Sequence, residues 1–471
     1  MDRARLRLEA VLLGLCAALC LASLGAYYVG FFNDDAFYLV GARSLLGGSF
    51  TELSHPAQPP LSAYLPGYPL LLAPLVGLFP NSVLPCQLLS IALTLGAVLL
   101  AFRLLGEAAA VGLFALSPLA LSLSGTVLSD PAYLFLTMLL LAAVRAAWKE
   151  EGLRRWVPSC LLASFAFYLR PVGAAFPIAL AAALFLEKRR REALFCAALC
   201  AALILPWLLR NALLGGSGLP YAGELVSGLN VSTLWVNSAF YARELFARAL
   251  FRWPNAAPGG ALEAATAAAC LMLSAWGAWR ERPSRFLTLY LGLYAAVHLL
   301  WPKVSGRYLL PVLPFAAATL VFGAEDLAER FGVRRGRTSL AMLALGAVLF
   351  APTWWKIASA ARLKGTPLTT PPKVYEWIRR ETPPGAVFAA ESDGRLFLLT
   401  GRRALRLRGA LPRGADYALV LPTGDAIRTR SGRDAHDPLP ARAARALFEA
   451  AGAEKVFEDP SEGSAVYRLR G

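Results

Sequence analysis

Asn33-Asp34-Asp35 follows directly on a long apolar run, and two adjacent carboxylates at such a boundary have two readings. One is ordinary: charged residues end a membrane-crossing helix. The other is chemical: a carboxylate there can take the proton from an attacking hydroxyl or amine. The residues that follow favour the second. Arg43, His55, Gln58-Pro59-Pro60 and Tyr64-Leu65-Pro66-Gly67-Tyr68-Pro69 make a segment too strongly shaped by proline to be a slack tether. Further along, Asp130 precedes Pro131, a strong helix-start pattern that makes it a candidate N-cap with a second role toward the same side as Asp34. Arg170, Arg210 and Arg307 each stand at the end of an apolar run on that side, with Lys303 as a fourth cation. One such arginine is a headgroup contact. Three converging on the side of the acidic pair point to an anionic ligand, and guanidinium suits phosphate.

The elements that must carry these residues are apolar. The 471 residues are 57% hydrophobic and 17% charged, whereas a soluble domain is usually about 45–50% apolar and about 25% charged. The excess lies in runs long enough to cross a bilayer, which takes about 20 residues. They predict an α-helical polytopic membrane protein with about eleven spans: 11–32, 84–105, 108–124, 131–148, 156–169, 172–186, 193–209, 261–279, 286–301, 308–322 and 340–355. The first is expected to stay uncleaved, because it is long for a signal peptide. Between spans lie two long outer loops, 33–82 and 210–260, the second carrying Trp235 and Trp253. In the first loop, 34–46 has apolar residues at helical spacing, and 66–79 reads as a second surface-lying or re-entrant helix.

The net charge of +16 fits this topology better than a nucleic-acid partner. Basic clusters at Arg3 to Arg7, Lys149 to Arg155, Lys188 to Arg191, Arg280 to Arg285 and Arg330 to Arg337 fall on alternate loops, as cytoplasmic loops should. The N-terminus is then cytoplasmic in a plasma (inner) membrane, and Asp34, Asp130, Arg170, Arg210 and Arg307 are extracytoplasmic. After the Trp354-Trp355 pair the composition changes. A transmembrane domain over 1–357 gives way to a small extracytoplasmic α/β domain over 358–471. Its expected helices are 373–381 and 441–451, and its expected strands 386–390, 404–408, 417–421, 455–457 and 465–469.

The seven cysteines all lie in or beside apolar runs and read as small buried hydrophobes. No phosphate-cradling glycine motif and no metal-ligand spacing occurs. His298 reads as a hydrogen bonder inside the helix bundle and His436 as a solvated residue. No cofactor is required, although the acidic residues leave room for a divalent cation.

Several stretches together resemble the GT-C superfamily of membrane glycosyltransferases, in the branch of protein O-mannosyltransferases and lipid A aminoarabinose transferases. They are Asp34-Asp35-Ala36-Phe37-Tyr38, Ala42-Arg43-Ser44-Leu45-Leu46, Leu65-Pro66-Gly67-Tyr68-Pro69, Ser129-Asp130-Pro131, Leu169-Arg170-Pro171, Pro206-Trp207-Leu208-Leu209-Arg210-Asn211 and Gly306-Arg307-Tyr308-Leu309-Leu310-Pro311. They come in family order and cover about 32–314. The resemblance implies an inverting transfer of sugar from a polyprenyl-phosphate donor to a protein, lipid or glycan acceptor in the cell envelope. It makes Asp34, with Asp35 beside it, the catalytic carboxylate. It gives substrate binding to Arg43, His55, Tyr68, Asp130, Arg170, Arg210, Lys303, Arg307 and Tyr308, with the cations on the departing lipid phosphate. Asp35 departs from the glutamate usual in the O-mannosyltransferases, so acceptor type is not carried over. A secondary transporter would favour repeated halves and mid-membrane acids, which are not evident. A non-catalytic scaffold would depend wholly on the C-terminal domain.

Overall fold

A computed structural model describes residues 3–214, 222–227, 229–252, 260–362, 370–407, 409–421 and 441–469. Trp253, Arg408 and His436 lie outside them. The chain divides into two compact units. One is Met1–Leu24 with Gln87–Ala361, and the other is Gly25–Cys86 with Arg362–Gly471. The unit holding the C-terminal sheet thus takes in the first long loop, which the sequence reading groups with the membrane part.

The first unit is helical. Among the described residues five helices are long and apolar enough to cross a membrane: Leu84–Leu105, Ser129–Ala147, Arg190–Leu213, Ala261–Glu281 and Arg337–Ser359. Other expected spans fall on shorter helices, such as Val157–Leu169, Ala175–Leu186 and Arg285–Leu300. The expected span 108–124 is two helices, Ala108–Ala115 and Pro118–Ser124. The break falls where Pro118 has no N–H to offer and the Ser117 hydroxyl caps the Ala120 N–H. The helices Ala261–Glu281 and Leu313–Arg330 meet backbone to backbone. A Cβ added at Gly277 would come within 1.9 Å of the Thr319 carbonyl, and one at Gly323 within 1.9 Å of the Leu273 carbonyl. Glycine is required at both positions, as at close helix crossings in membranes generally.

The expected first span is corrected at its C-terminal end. The helix Arg3–Ala22 stops ten residues before Phe32. Gly25 and Gly30 take φ of +81° and +102°, conformations foreign to a helix. Tyr27, Tyr28, Phe31 and Phe32 pack on one another with ring centroids 5.1–5.7 Å apart. Their apolarity serves an aromatic cluster in the second unit rather than more helix.

In that second unit, five strands form one sheet: β1 (Val387–Ala390), β2 (Arg403–Arg406), β3 (Tyr417–Val420), β4 (Glu454–Asp459) and β5 (Ser464–Arg468). Their order is β2-β1-β3-β5-β4, with β1 parallel to β2 and β3, and β5 antiparallel to β3 and β4. Strand side chains alternate between faces. Phe388 and Ala390 join Val374, Tyr375, Ile378 and Leu396 on one side, while Ala389 and Ala418 join Phe448 and Tyr467 on the other. The helices Lys373–Glu381 and Asp393–Thr400 therefore cover one face and Ala441–Ala450 the other. The parallel β1–β2 pair needs a crossover, and Asp393–Thr400 supplies it. The first loop contributes Asp34–Leu46, at the expected bounds, and Gly67–Leu78.

Candidate active site

The acidic pair opens the helix Asp34–Leu46, where the N-terminal dipole favours negative charge. The two carboxylates have different surroundings. Asp34 is partly exposed and accepts a hydrogen bond from the Tyr64 hydroxyl at 3.0 Å. Asp35 is 3% exposed. Its Oδ2 accepts the Gly30 N–H at 2.7 Å and its Oδ1 the Ala36 N–H at 3.0 Å. Burial pushes its carboxyl up to about 7, with the Asp34 charge adding to the rise. The two amides and the Arg395 guanidinium pull the other way and only partly offset it. Asp35 is thus committed to its own turn, whereas Asp34 is partly exposed and bonded by a side-chain hydroxyl. Asn33, immediately before, has φ of +60° and a buried side-chain oxygen without a hydrogen-bond partner. Backbone of this kind persists only where its surroundings hold it.

The rest of the loop set is spread out. Arg43 is exposed on the last turn of the same helix. Tyr68 is wholly buried, edge-on to Tyr38 at 4.9 Å, in the surroundings of a core aromatic. His55 accepts the Ala57 N–H at Nδ1, which leaves Nε2 to carry the proton of the neutral ring. With Glu52, Pro59, Leu405, Arg406 and Pro412 it lines a cleft of about 380 Å³. Arg406 in turn reaches Asp393 at 3.0 Å and Glu52 at 3.4 Å. Its own burial disfavours its charge, but the two carboxylates outweigh that and hold its pKa above the ordinary value.

In the helical unit Asp130, Arg170, Arg307 and Tyr308 come together. Asp130 is the second residue of the helix Ser129–Ala147 rather than its cap, since Leu128 takes the extended cap backbone. Its carboxylate, 1% exposed, pairs directly with Arg170. Arg170 and Arg307 both stack on the Tyr308 ring, 5.3 and 5.6 Å from its centroid. His298 lies 5.0 Å from that ring and shares a hydrogen bond of 2.9 Å between Nδ1 and the Tyr294 carbonyl oxygen, the bundle-interior role expected of it. Arg210 is placed apart, over Trp207 at 4.6 Å and donating to Asn211 at 2.8 Å. Lys303 is partly exposed. Among the described residues no group of three or more His, Cys, Asp or Glu side chains is placed to hold a metal ion, and the seven cysteines are free and buried.

The chain as a whole matches solved structures closely in course. It aligns over 97% of its length with 97% of ArnT from Cupriavidus metallidurans bound to undecaprenyl phosphate, at a TM-score of 0.58 and 11% identity. The apo form of the same ArnT gives 97% of each chain, 0.58 and 13%. An oligosaccharyltransferase of Archaeoglobus fulgidus, tethered to an acceptor peptide containing the NVT sequon, matches over 98% of this chain and 74% of its own, with a TM-score of 0.57 and 12% identity. The chain shares its overall architecture with these ArnT and oligosaccharyltransferase structures. No family model matches the sequence, and no curated protein matches at a significant level. At such identities the likeness speaks for architecture and leaves each residue's role to the chemistry around it.

The residues that sequence reasoning missed are Arg395, Asp393 and Arg406. They sit on or beside the eight-residue helix Asp393–Thr400, too short for a periodic signature. Its signal was at the ends: Ser392 at the N-cap position and Gly401 in the left-handed conformation just past the last turn.

Proposed function

We propose that this chain is an inverting glycosyltransferase of the outer face of a cytoplasmic-type membrane, moving a sugar from a polyprenyl-phosphate donor to an acceptor hydroxyl or amine. The observation that carries the reading is the division of labour in the acidic pair. Asp35 spends both oxygens on backbone amides, while Asp34 is partly exposed and bonded by the Tyr64 hydroxyl. In the reaction, the bond between the anomeric carbon and the phosphate oxygen breaks, and a new one joins that carbon to the acceptor's oxygen or nitrogen. The acceptor proton passes to Asp34, and the bonding electrons leave with the lipid phosphate. We assign phosphate binding to Arg210, Arg307 and Lys303, with Tyr308 and the Asp130–Arg170 pair beside Arg307 as support. We place Arg43 and His55 on the donor and acceptor side of the loop, with the buried Tyr68 supporting it from the core. The GT-C fold, seen in a structure with undecaprenyl phosphate bound, supports the donor class.

The test is Asp34→Asn in the full-length chain in lipid vesicles supplied with polyprenyl-phosphate sugars. Transfer should fall by about 100-fold or more, as for loss of a positioned base, while the variant still inserts and unfolds normally. Full transfer by Asp34→Asn would end the proposal.

A further inference from the structure

We infer that Arg395, on the helix Asp393–Thr400, is a positioning residue that holds the turn carrying the acidic pair. The C-terminal domain thereby sets the geometry of Asp34. Its guanidinium donates from Nε to the Gly30 carbonyl at 2.5 Å and from Nη2 to the Phe31 carbonyl at 2.6 Å. The two peptide groups flanking the Gly30 Cα are therefore both held: the Gly30 N–H goes to Asp35 and the Gly30 C=O to Arg395. Gly30 can be nothing else. Its φ is +102°, and a Cβ there would lie 3.3 Å from Arg395 Cγ. Between this peptide and the helix lies Asn33, at positive φ with an unpartnered buried oxygen. A turn so unfavourable by itself needs external tethers to stay in one conformation, and Asp34 is the next residue.

The same short helix binds the loop at further points, so the clamp is part of a built contact. Gly394 approaches Phe37 so closely that a Cβ would come within 3.0 Å of its ring. The Ser54 hydroxyl donates to Asp393 Oδ2 at 3.1 Å, and the Ala404 N–H donates to the Ser54 carbonyl at 2.8 Å. Arg406 stacks on Phe37 at 5.2 Å while pairing with Asp393. These contacts hold the loop from residue 37 onward, and Arg395 grips the backbone just ahead of the carboxylates. A domain serving only to bind acceptor or to cap a cavity has no use for two charge-assisted bonds to main-chain carbonyls. A positioning device does.

The part of this inference that concerns turnover rests on the transferase reading, so the test has two independent readouts. The first is hydrogen–deuterium exchange of the full-length chain in lipid nanodiscs. Arg395→Ala should speed exchange at the Gly30 and Ala36 amides by about tenfold or more, with Ala389, Val420 and Val466 of the sheet still protected. The second is turnover, which should fall by about 100-fold and recover in part when free guanidinium is added at low millimolar concentration. If Arg395→Ala loosens the sheet as well, Arg395→Lys, which keeps the charge and reaches one carbonyl, carries the same two readouts. Unchanged exchange at Gly30 and Ala36 would overturn the clamp. Faster exchange with undiminished turnover would overturn its positioning role. Full activity in Asp34→Asn would instead sink the transferase reading and leave the exchange data to judge the clamp alone.

Discussion

The turn at residues 30–36 and the head of the helix Ser129–Ala147 each bury an aspartate, and they satisfy it in opposite ways. Asp130 meets its arginine directly, so the pair at Arg170 is closed electrically and the Tyr308 ring lies against it. Asp35 is bonded by the amides of Gly30 and Ala36, and Arg395, which donates to the carbonyls of Gly30 and Phe31, acts on its charge through space. A closed pair fixes two helices to one another and is costly to open. A carboxylate bound to main-chain N–H groups fixes the backbone, and its charge stays coupled to pH. The first arrangement suits a scaffold of helices and the second suits a loop that must present a neighbouring group.

The comparison breaks most visibly at Arg170. Removing it with Arg170→Ala strands a 1%-exposed carboxylate, and the expected loss is about 3–5 kcal/mol. Asp130→Asn combined with Arg170→Ala should recover most of it, because no unpaired charge remains. Thermal unfolding in detergent, run as a double-mutant cycle, reads the difference. Equal midpoints for the single and double variants would mean the pair is not closed in the way described.

Much of this contrast was invisible in the sequence, for physical reasons. The helices 34–46 and 373–381 were legible because each carries its own signals: apolar spacing in the first, and Pro371-Pro372 and Pro383-Pro384 bracketing the second. Hydropathy, in contrast, counted Tyr27, Tyr28, Phe31 and Phe32 as span, since apolar weight cannot reveal that Gly25 and Gly30 turn the chain. Arg170, Arg210 and Arg307 were grouped only by their position at the ends of apolar runs; the shared stacking of Arg170 and Arg307 on Tyr308 and the tie of Arg170 to Asp130 belong to tertiary structure. Arg395 lies 365 positions from Gly30. No local spacing rule connects them.

The second test works on Asp35 through pH. Its carboxyl is held at about 7 in the fold by burial, against about 3.9 in an unfolded chain. Between those values the native state binds the proton that the unfolded chain has already released. Stability is therefore full below about pH 4 and is lost as pH rises through about 7. Exchange at the Gly30 and Ala36 amides should be slower at pH 5 than at pH 8 once the intrinsic pH dependence of exchange is removed. Asp35→Asn should flatten that dependence while costing about 1–3 kcal/mol, because an amide side chain serves only one of the two N–H groups. A variant that keeps the slope would assign it to another group.

Asp393 sharpens the comparison from between its two poles. It is 1% exposed, accepts a neutral hydroxyl from Ser54, and also pairs with Arg406. If the guanidinium dominates, as at Asp130, Ser54→Ala should cost only about 0.5–1.5 kcal/mol, the ordinary worth of one hydrogen bond. If the loop-fixing hydroxyl dominates, as the amides do at Asp35, the same variant should loosen the backbone at Ser54 and speed exchange of the Ala404 amide bonded to its carbonyl. Stability and exchange measured on Ser54→Ala, alone and with Arg406→Gln, separate the two. The small cost with Ala404 still protected is the expected result, because Arg406 pairs directly with the Asp393 carboxylate and remains there when the hydroxyl is gone.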